Sequence, residues 1–300
     1  MLKPFCFLAV VFFTLAIYPF AAHAESTKTE TIGPAKGSLV IIGGGGMPPE
    51  IWKRFIDLAG GDDSKIVVIP TAEEDDDIAD DKTIEKLASL GVNHATSLHT
   101  RDPKEADSEK FVEPLKTATG VWLGGGRQWR FADAYLNTRT QKELFAVLER
   151  GGVIGGSSAG ATIQGSFLVR GDTQGNELIE GDHTAGFGFL KDSAIDQHIL
   201  RRNRQFDLIP LIESHPQLLG IGIDESTAIV VQGDQFEVIG ASYVAITDHD
   251  QWTSDGHTSP NDAAQKGKIF FLGHGDRFDL STRRIVRGAR PFAVPADTKK

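Results

Sequence analysis

The sequence predicts an α/β fold, in which a mainly parallel sheet carries helices on both faces and an antiparallel C-terminal extension. Through the first half of the chain, short apolar segments rich in β-branched residues alternate with segments of helical periodicity. This alternation is typical of strand–helix–strand units, whose parallel strands are buried on both faces. Beyond Leu219 the apolar segments follow one another with only short turns between them. Connections that short indicate antiparallel pairing.

The predicted elements follow from composition and from the positions of proline and glycine. Apolar, β-branched segments bounded by turn residues predict strands, and Pro48 fits the first turn of a helix. In chain order the first part contains a strand at Ser38–Ile42, a helix at Pro48–Ala59, a strand at Lys65–Ile69, an acidic loop at 73–77, a helix at Ala79–Leu90 and a strand at Val92–Leu98. The later elements are strands at Gly120–Leu123 and Gly152–Gly155 with a helix at Gln141–Arg150 between them, then strands at Ala228–Gln232, Phe236–Ile239 and Tyr243–Thr247.

Three of these strands end in glycine-rich turns, at Gly43–Gly46, at Gly124–Gly126 and at Gly155–Gly156. Because sites in open α/β sheets form at the carboxyl ends of strands, we expect the functional site at this edge. The first turn does not fit the dinucleotide-binding fingerprint, since Pro48 and Pro49 stand where its last glycine is needed. It is interpreted as an ordinary strand-to-helix turn.

The N-terminus predicts export. Lys3 precedes an apolar run over Phe5–Ala22, and Ala22-His23-Ala24 is a small-x-small cleavage signal. We therefore expect a signal peptide at 1–24, a flexible polar leader at 25–37 and a single α/β domain at 38–300. The mature protein would be periplasmic or extracellular, with no membrane contact once the signal is cleaved.

Composition excludes several classes of function. The single cysteine, Cys6, lies within the predicted signal peptide, so the mature chain would have no disulfide, no catalytic thiolate and no cysteine-ligated metal. The formal net charge is −10, and an acidic surface argues against binding to nucleic acid or to anionic lipid. No histidine pair has zinc-binding spacing, so we expect neither a metal nor an organic cofactor.

The sharpest motif is Gly156-Ser157-Ser158-Ala159-Gly160, which predicts a nucleophile elbow with Ser158 as the nucleophile. Small residues on both sides allow strand and helix to approach, so that the serine Oγ stands clear of the backbone. Ser157 is the rival serine, one residue too early for the elbow. The amide of Ala159 and an amide of Gly125 or Gly126 would form an oxyanion hole.

A serine nucleophile requires a base and a group that orients the base. The mature chain offers eight histidines, among which His198 stands out because it follows Asp196-Gln197 and precedes Arg201, Arg202 and Arg204. Glu225 is a candidate for the orienting acid, and its competitors are Asp224, Glu177 and Glu180. Local sequence leaves both choices open.

Together these motifs resemble the serine peptidase family that contains cyanophycinase and an aspartyl dipeptidase. The resemblance extends from about Gly37 to Gly240. The matching segments are Gly124-Gly125-Gly126-x-Gln128, Gly-Ser-Ser-Ala-Gly-Ala at 156–161, Asp196-Gln197-His198 with Arg202 and Arg204, and Gly-Ile-Gly-Ile-Asp-Glu at 220–225. The family resembles class I glutamine amidotransferases in fold, with serine in place of the cysteine nucleophile.

The resemblance implies a triad of Ser158, His198 and Glu225. It also implies a substrate pocket formed by Gln128, Asp196, Gln197, Arg202 and Arg204, in which arginines would bind aspartate carboxylates. The resemblance and the predicted signal peptide therefore imply an exported serine peptidase that acts on aspartyl-type bonds of an acidic or arginyl peptide and releases β-Asp-Arg dipeptides from multi-L-arginyl-poly-L-aspartate. Two alternatives stay open: an α-aspartyl dipeptidase or other small acyl-substrate hydrolase of the same fold, and a non-catalytic binding protein on this scaffold. A homodimer is an open option. One departure concerns the substrate, because Asp207 stands at about the place where the family has a third arginine.

Overall fold

The computed structural model describes residues 31–249 and 269–286. The predicted signal peptide, the first part of the predicted leader (25–30) and segments 250–268 and 287–300 of the predicted domain lie outside the described residues. Within the described part, no helix is both long enough and apolar enough to cross a bilayer. The domain boundaries stay a prediction.

The described residues form fourteen strands and eight α-helices. The strands are β1 (Ser38–Ile42), β2 (Lys65–Ile69), β3 (His94–Ser97), β4 (Gly120–Leu123), β5 (Val153–Ser157), β6 (Gly165–Phe167), β7 (Leu190–Gln197), β8 (Leu219–Ile223), β9 (Thr227–Gln232), β10 (Gln235–Gly240), β11 (Val244–Thr247), β12 (Ile269–Leu272), β13 (Arg277–Asp279) and β14 (Arg284–Ile285). The helices are α1 (Pro49–Leu58), α2 (Asp75–Ala79), α3 (Thr83–Ser89), α4 (Pro103–Ala106), α5 (Gln128–Tyr135), α6 (Arg139–Glu149), α7 (Ala159–Thr162) and α8 (Leu208–Ser214). Short 3₁₀ turns lie at Gly61–Asp63 and Glu113–Lys116.

The main sheet has nine strands in the order β14-β13-β10-β9-β1-β5-β4-β2-β3. The five strands from β1 to β3 in this order are parallel, and β9, β10, β13 and β14 add an antiparallel edge. The predicted α/β fold with an antiparallel C-terminal extension is therefore confirmed.

Helices cover both faces of this sheet because its central strands are apolar on both sides. Along β1, Leu39 and Ile41 belong to one hydrophobic core, while Val40 and Ile42 belong to the other. Helix α1 packs on the second core, and α5 and α6 pack on the first. The alternation follows from the two-residue period of a strand, and it explains the continuous apolar run in the sequence.

The second sheet was not predicted. Its five strands are in the order β12-β11-β8-β7-β6, and β6, β7 and β8 pair in parallel. Strand β7 carries polar residues near its end, so its sequence lacks the apolar run that identifies the strands of the main sheet. The predicted strand at Tyr243–Thr247, which is observed as β11, belongs to this second sheet and not to an extension of the first.

Two local predictions need correction. The acidic loop at 73–77 is partly helical, because α2 begins at Asp75, where three successive aspartates fill a helical first turn. The helix predicted at Ala79–Leu90 is observed as the end of α2 and a separate α3, with a break before Thr83. Helix α5, which begins at Gln128, was also missed.

Phe55 offers a test of how the α1 face is held. Its side chain is 0% exposed and packs edge-on against Trp122, with ring centroids 5.2 Å apart. We expect Phe55→Ala to lower the free energy of unfolding by about 3–5 kcal/mol, since it leaves a cavity in a close-packed core. Chemical denaturation measures this loss. Phe145→Ala, at a ring that is 38% exposed, should cost clearly less; equal losses would contradict the packing described.

Candidate active site

Ser158 occupies a strained turn between β5 and α7. Its backbone has φ 55° and ψ −110°, a conformation that residues with a side chain rarely adopt. The amide of Ser158 donates to the carbonyl of Ile42 at the end of β1 (3.0 Å). Small neighbours make the turn sterically feasible, because a side chain at Gly156 or at Gly160 would overlap backbone atoms. The local geometry is that of the predicted elbow.

The structure brings Ser158, His198 and Glu225 together. The Oγ of Ser158 lies 3.0 Å from Nε2 of His198, and Nδ1 of His198 lies 2.7 Å from Oε1 of Glu225. His198 directly follows β7 of the second sheet, while Ser158 follows β5 of the first. A hydroxyl, an imidazole and a carboxylate in this order form the arrangement that transfers a proton away from an attacking oxygen.

The choice between Glu225 and its competitors is decided by their hydrogen bonds. The Oδ1 of Asp224 accepts from the amides of Leu200 and Arg201, and its Oδ2 accepts from Ser242. Asp224 thus fixes the turn that follows His198, whereas Glu225 contacts the imidazole itself. Glu180 lies beside His215 instead.

The glycine turn after β1 anchors all three side chains through the main chain. Successive carbonyls of Ile42, Gly43 and Gly44 accept hydrogen bonds from the amides of Ser158 (3.0 Å), His198 (2.9 Å) and Ser226 (3.0 Å), respectively. From the sequence, this turn is expected to be an ordinary connection between a strand and a helix. Its one signal was the unbroken run of four glycines.

The close approach of His198 explains why position 44 must be a glycine. The φ of Gly44 is 107°, and a Cβ at this position would overlap the imidazole ring of His198. Only glycine combines a left-handed backbone with so close an approach at no steric cost. The turn therefore packs directly against the imidazole ring of His198.

His198 lies in an environment that favours its neutral form. Burial lowers the pKa of His198, the hydrogen bond that the imidazole donates to Glu225 acts in the opposite direction, and the positive charges of Arg202 and Arg204 lower it further. The net pKa lies below the usual value of 6.5. At neutral pH the ring is therefore uncharged and able to accept a proton from Ser158.

The predicted oxyanion-hole amides lie around Ser158. Ala159 follows it directly, and a Cβ added to Gly125 would lie 3.9 Å from the Cβ of Ser158. Within residues 31–249 and 269–286, the amides of Ala159, Gly125 and Gly126 donate no hydrogen bond. Their N–H groups are therefore free of hydrogen bonds within the described residues; their role in binding an oxyanion stays a prediction.

Two of the predicted pocket residues, Gln128 and Asp196, make their observed contacts inside the protein. Gln128 is fully buried, and its Nε2 donates to the carbonyls of Val169 (2.9 Å) and Arg170 (2.8 Å). Asp196 is 0% exposed, and its two carboxylate oxygens accept from Nε (2.9 Å) and Nη2 (3.0 Å) of Arg170. Both residues therefore hold Arg170; direct contact with a substrate stays a prediction for them.

Arg170 is a site residue that sequence reasoning missed. Its buried guanidinium also binds Asp207 (2.6 Å), which stands at about the place where the resemblance implies a third arginine, and the carbonyls of Asn176 and Glu177. Burial acts to lower the pKa of Arg170, but the bonds and charges of Asp196 and Asp207 outweigh it and raise that pKa. The available signal was an arginine directly after the apolar Leu168-Val169, where a buried charge demands partners.

The other predicted pocket residues keep polar atoms unused. Oε1 of Gln197 and Nη1 of Arg204 are buried without a hydrogen-bond partner among the described residues, as is Oε1 of Gln128. Arg204 as a whole is 8% exposed, so its charge is held in a poorly solvated place. Arg202 is exposed, and its amide donates to the carbonyl of His198 (2.9 Å). No group of three metal-ligating side chains occurs within the described ranges.

Comparison with known proteins agrees with this geometry. Residues 39–239 match the model of peptidase family S51. The chain is 31% identical to a cyanophycinase of Geminocystis herdmanii over 84% of this chain and 97% of the relative. It is 30% identical to a cyanophycinase of a Nostoc species over 88% of this chain and 92% of the relative.

Solved structures share the fold. A peptidase from an acI-B1 Actinobacterium superposes with a TM-score of 0.60 at 26% identity, covering 82% of this chain and 98% of the other. A putative peptidase E of Listeria monocytogenes has a TM-score of 0.50 at 18% identity, covering 69% of this chain and 100% of the other. The second likeness concerns the fold alone. The extent of the family match and of the cyanophycinase relatives shows that this chain belongs to peptidase family S51 and is a serine-type peptidase of the cyanophycinase kind.

Proposed function

We propose that this peptidase cleaves aspartyl-type peptide bonds and releases β-Asp-Arg dipeptides from an arginyl-poly-aspartate; its similarity to proteins named cyanophycinase supports the proposal. The observation that carries the proposal is the Ser158–His198–Glu225 chain of hydrogen bonds, near which Nη1 of Arg204 is buried without a hydrogen-bond partner among the described residues. A buried cation without a partner is costly unless an anion joins it. An aspartyl carboxylate supplies that anion.

The proposed mechanism is acyl transfer. His198 accepts the Ser158 proton at Nε2 while the Ser158 oxygen attacks the scissile carbonyl, and Glu225 stabilises the imidazolium that results. The amides of Ala159 and of Gly125 or Gly126 receive the developing oxyanion, each contributing about 3 kcal/mol. The imidazolium then protonates the leaving amine. Water, deprotonated by His198, hydrolyses the acyl-enzyme and restores Ser158.

Gln128 and Asp196 act in this proposal through Arg170. Asp196 fixes the buried guanidinium of Arg170, and Gln128 fixes the adjoining backbone. Arg204 and Arg202 bind the aspartyl carboxylate, and Gln197 offers its free Oε1 to a substrate N–H.

A second candidate substrate is an α-aspartyl dipeptide or another small acidic peptide. Asp207 favours this alternative, because it places a negative charge against Arg170 at the position where the family's third arginine is expected. Hydrolysis of β-Asp-Arg polymer, β-Asp-Arg-containing peptides and α-aspartyl dipeptides, compared side by side, distinguishes the two.

We also propose that the protein is exported after cleavage behind Ala24. The support is the Lys3, apolar and Ala22-His23-Ala24 pattern of the N-terminus. N-terminal sequencing of the protein recovered from the periplasm or the medium tests this directly; a protein found only in the cytoplasm with its first residues intact would refute it.

Ser158→Ala should abolish hydrolysis, lowering kcat by about 10⁴-fold or more because the nucleophile is removed. Ser157→Ala, which alters the neighbouring serine, should retain most of the activity. Release of dipeptide measured by chromatography gives both rates. Substantial activity in Ser158→Ala, or a reversed order of the two variants, would rule out the assignment of the nucleophile.

The pH profile should reflect the lowered pKa of His198. The base must be neutral, so the midpoint of the acid limb of kcat/KM, where His198 becomes protonated, should lie below pH 6.5. Arg202→Gln removes a positive charge that lowers this pKa, and it should shift the acid limb of the kcat/KM profile toward higher pH. Arg201→Gln serves as the control, with an unchanged midpoint. An acid limb unaffected by Arg202→Gln would contradict the electrostatic account.

Arg204→Met should weaken substrate binding without weakening the fold. Loss of a charge-assisted hydrogen bond predicts a rise in KM of about tenfold or more for aspartyl substrates. The free energy of unfolding should stay the same or increase, because the variant removes a buried charge that has no partner. Arg201→Met is the control for kinetics and stability. Marked destabilisation with unchanged KM would instead assign Arg204 a structural role.

A further inference from the structure

The side chain of Glu73 is the feature that the proposed mechanism leaves unused. Glu73 follows β2 at the carboxyl end of the sheet, and its Oε1 would lie 2.8 Å from a Cβ built on Gly124. It therefore packs against the glycine turn whose next residue, Gly125, faces Ser158. Gly124 leaves room for this carboxylate, since any side chain there would displace it.

The fold fixes the main chain of Glu73 but not its carboxylate. Its amide donates to the carbonyl of Pro70 (2.9 Å), and its own carbonyl accepts from the guanidinium groups of Arg101 and Arg130. Arg101 and Arg130 form salt bridges with Asp75 and Glu74, respectively. Among the described residues, none donates a hydrogen bond to the Glu73 carboxylate. The main chain is thus held in place, and the carboxylate is left available.

The charges around Glu73 call for a cation. Burial raises the pKa of Glu73 to about 7, and the like charges of Asp81 and Asp77 add to the increase. The neighbouring arginines do not offset these effects. A cation bound at this carboxylate would stabilise its ionised form and supply the ion pair that none of the described residues provides.

Strand order sets the distance from the nucleophile. Ser158, the Gly124–Gly126 turn and Glu73 follow β5, β4 and β2, which are neighbours in the sheet. Adjacent strands are about 4.8 Å apart, so Glu73 lies roughly 10 Å from Ser158 along this edge. An extended peptide spans about 3.4 Å per residue, so a long side chain near the scissile bond can reach Glu73.

The two sides of Ser158 carry opposite charges. Arg202 and Arg204 lie beside His198, whose pKa they lower, and Glu73 lies on the opposite side, beyond the glycine turn. Resting on the proposed function, we infer that Glu73 is a specificity-determining residue that binds the cationic side chain of the substrate, preferentially a guanidinium. A planar guanidinium matches a carboxylate bidentately, and it also tolerates partial burial better than an ammonium.

The test measures binding separately from hydrolysis. Ser158→Ala keeps the ligand intact, and calorimetry compares β-Asp-Arg with β-Asp-citrulline, its neutral counterpart of similar shape. We expect β-Asp-Arg to bind about tenfold or more tightly than β-Asp-citrulline. Adding Glu73→Gln should remove this preference by weakening β-Asp-Arg alone, whereas Glu74→Gln, the same change at the exposed neighbour, should preserve it.

The variant should fold, because the Glu73 carboxylate makes no hydrogen bond with the residues that the structure describes, and a thermal melt checks this. Equal affinity for the two ligands, no binding of either, or an arginine preference that survives Glu73→Gln would overturn the inference. The native protein assayed on the same dipeptide units in polymer tests the proposed function on its own. A Glu73-dependent preference without hydrolysis would refute the function and leave the inference standing; hydrolysis with a Glu73-independent preference would do the reverse.

Discussion

The site depends on one short piece of main chain, the end of β1 at Ile42–Gly44. Its successive carbonyls bind the amides of Ser158, His198 and Ser226, the last of which directly follows Glu225. Ser158 comes from the main sheet, and His198 comes from the second sheet. Backbone hydrogen bonds are short and directional, so a single strand end sets the relative positions of side chains that are far apart in sequence. Preorganisation of this kind spares the enzyme the cost of assembling the site during the reaction.

The main sheet and the elbow could be predicted because each has a local signal. Apolar runs predict strands β1, β2 and β4, and the small residues around Ser158 predict the nucleophile elbow. The second sheet could not be predicted, since strand β7 ends in the polar Asp196 and Gln197, whose partners are distant in the chain. Glu225 and Asp224 could not be distinguished either. They are adjacent, chemically alike, and differ only in the direction that the turn after β8 gives to their side chains.

The ion pairs of Arg170 could not be predicted from the sequence either. A buried guanidinium is tolerable only with compensating anions, and here Asp196 and Asp207 provide them from separate elements. Sequence can indicate that a buried arginine needs partners, but it cannot identify them. While these two carboxylates bind Arg170, Nη1 of Arg204 stays buried without a hydrogen-bond partner among the described residues. The family resemblance implies that Asp196, Gln128 and Arg204 belong to one substrate pocket. In the structure, Asp196 and Gln128 bind Arg170, whereas Nη1 of Arg204 has no hydrogen-bond partner among the described residues.

The glycines after β1 carry a consequence for how this protein can change over generations. They have no functional groups, yet Gly44 lies against the ring of His198 and can accept no side chain. Gly43, Gly44 and Gly45 should therefore be as intolerant of substitution as the reactive residues, because a Cβ there would overlap Asp224, His198 and Glu225, respectively. Neutral drift is free to remodel the outlying loops that select the substrate, while these glycines remain fixed. New specificities in this scaffold would arise around an unvarying strand end.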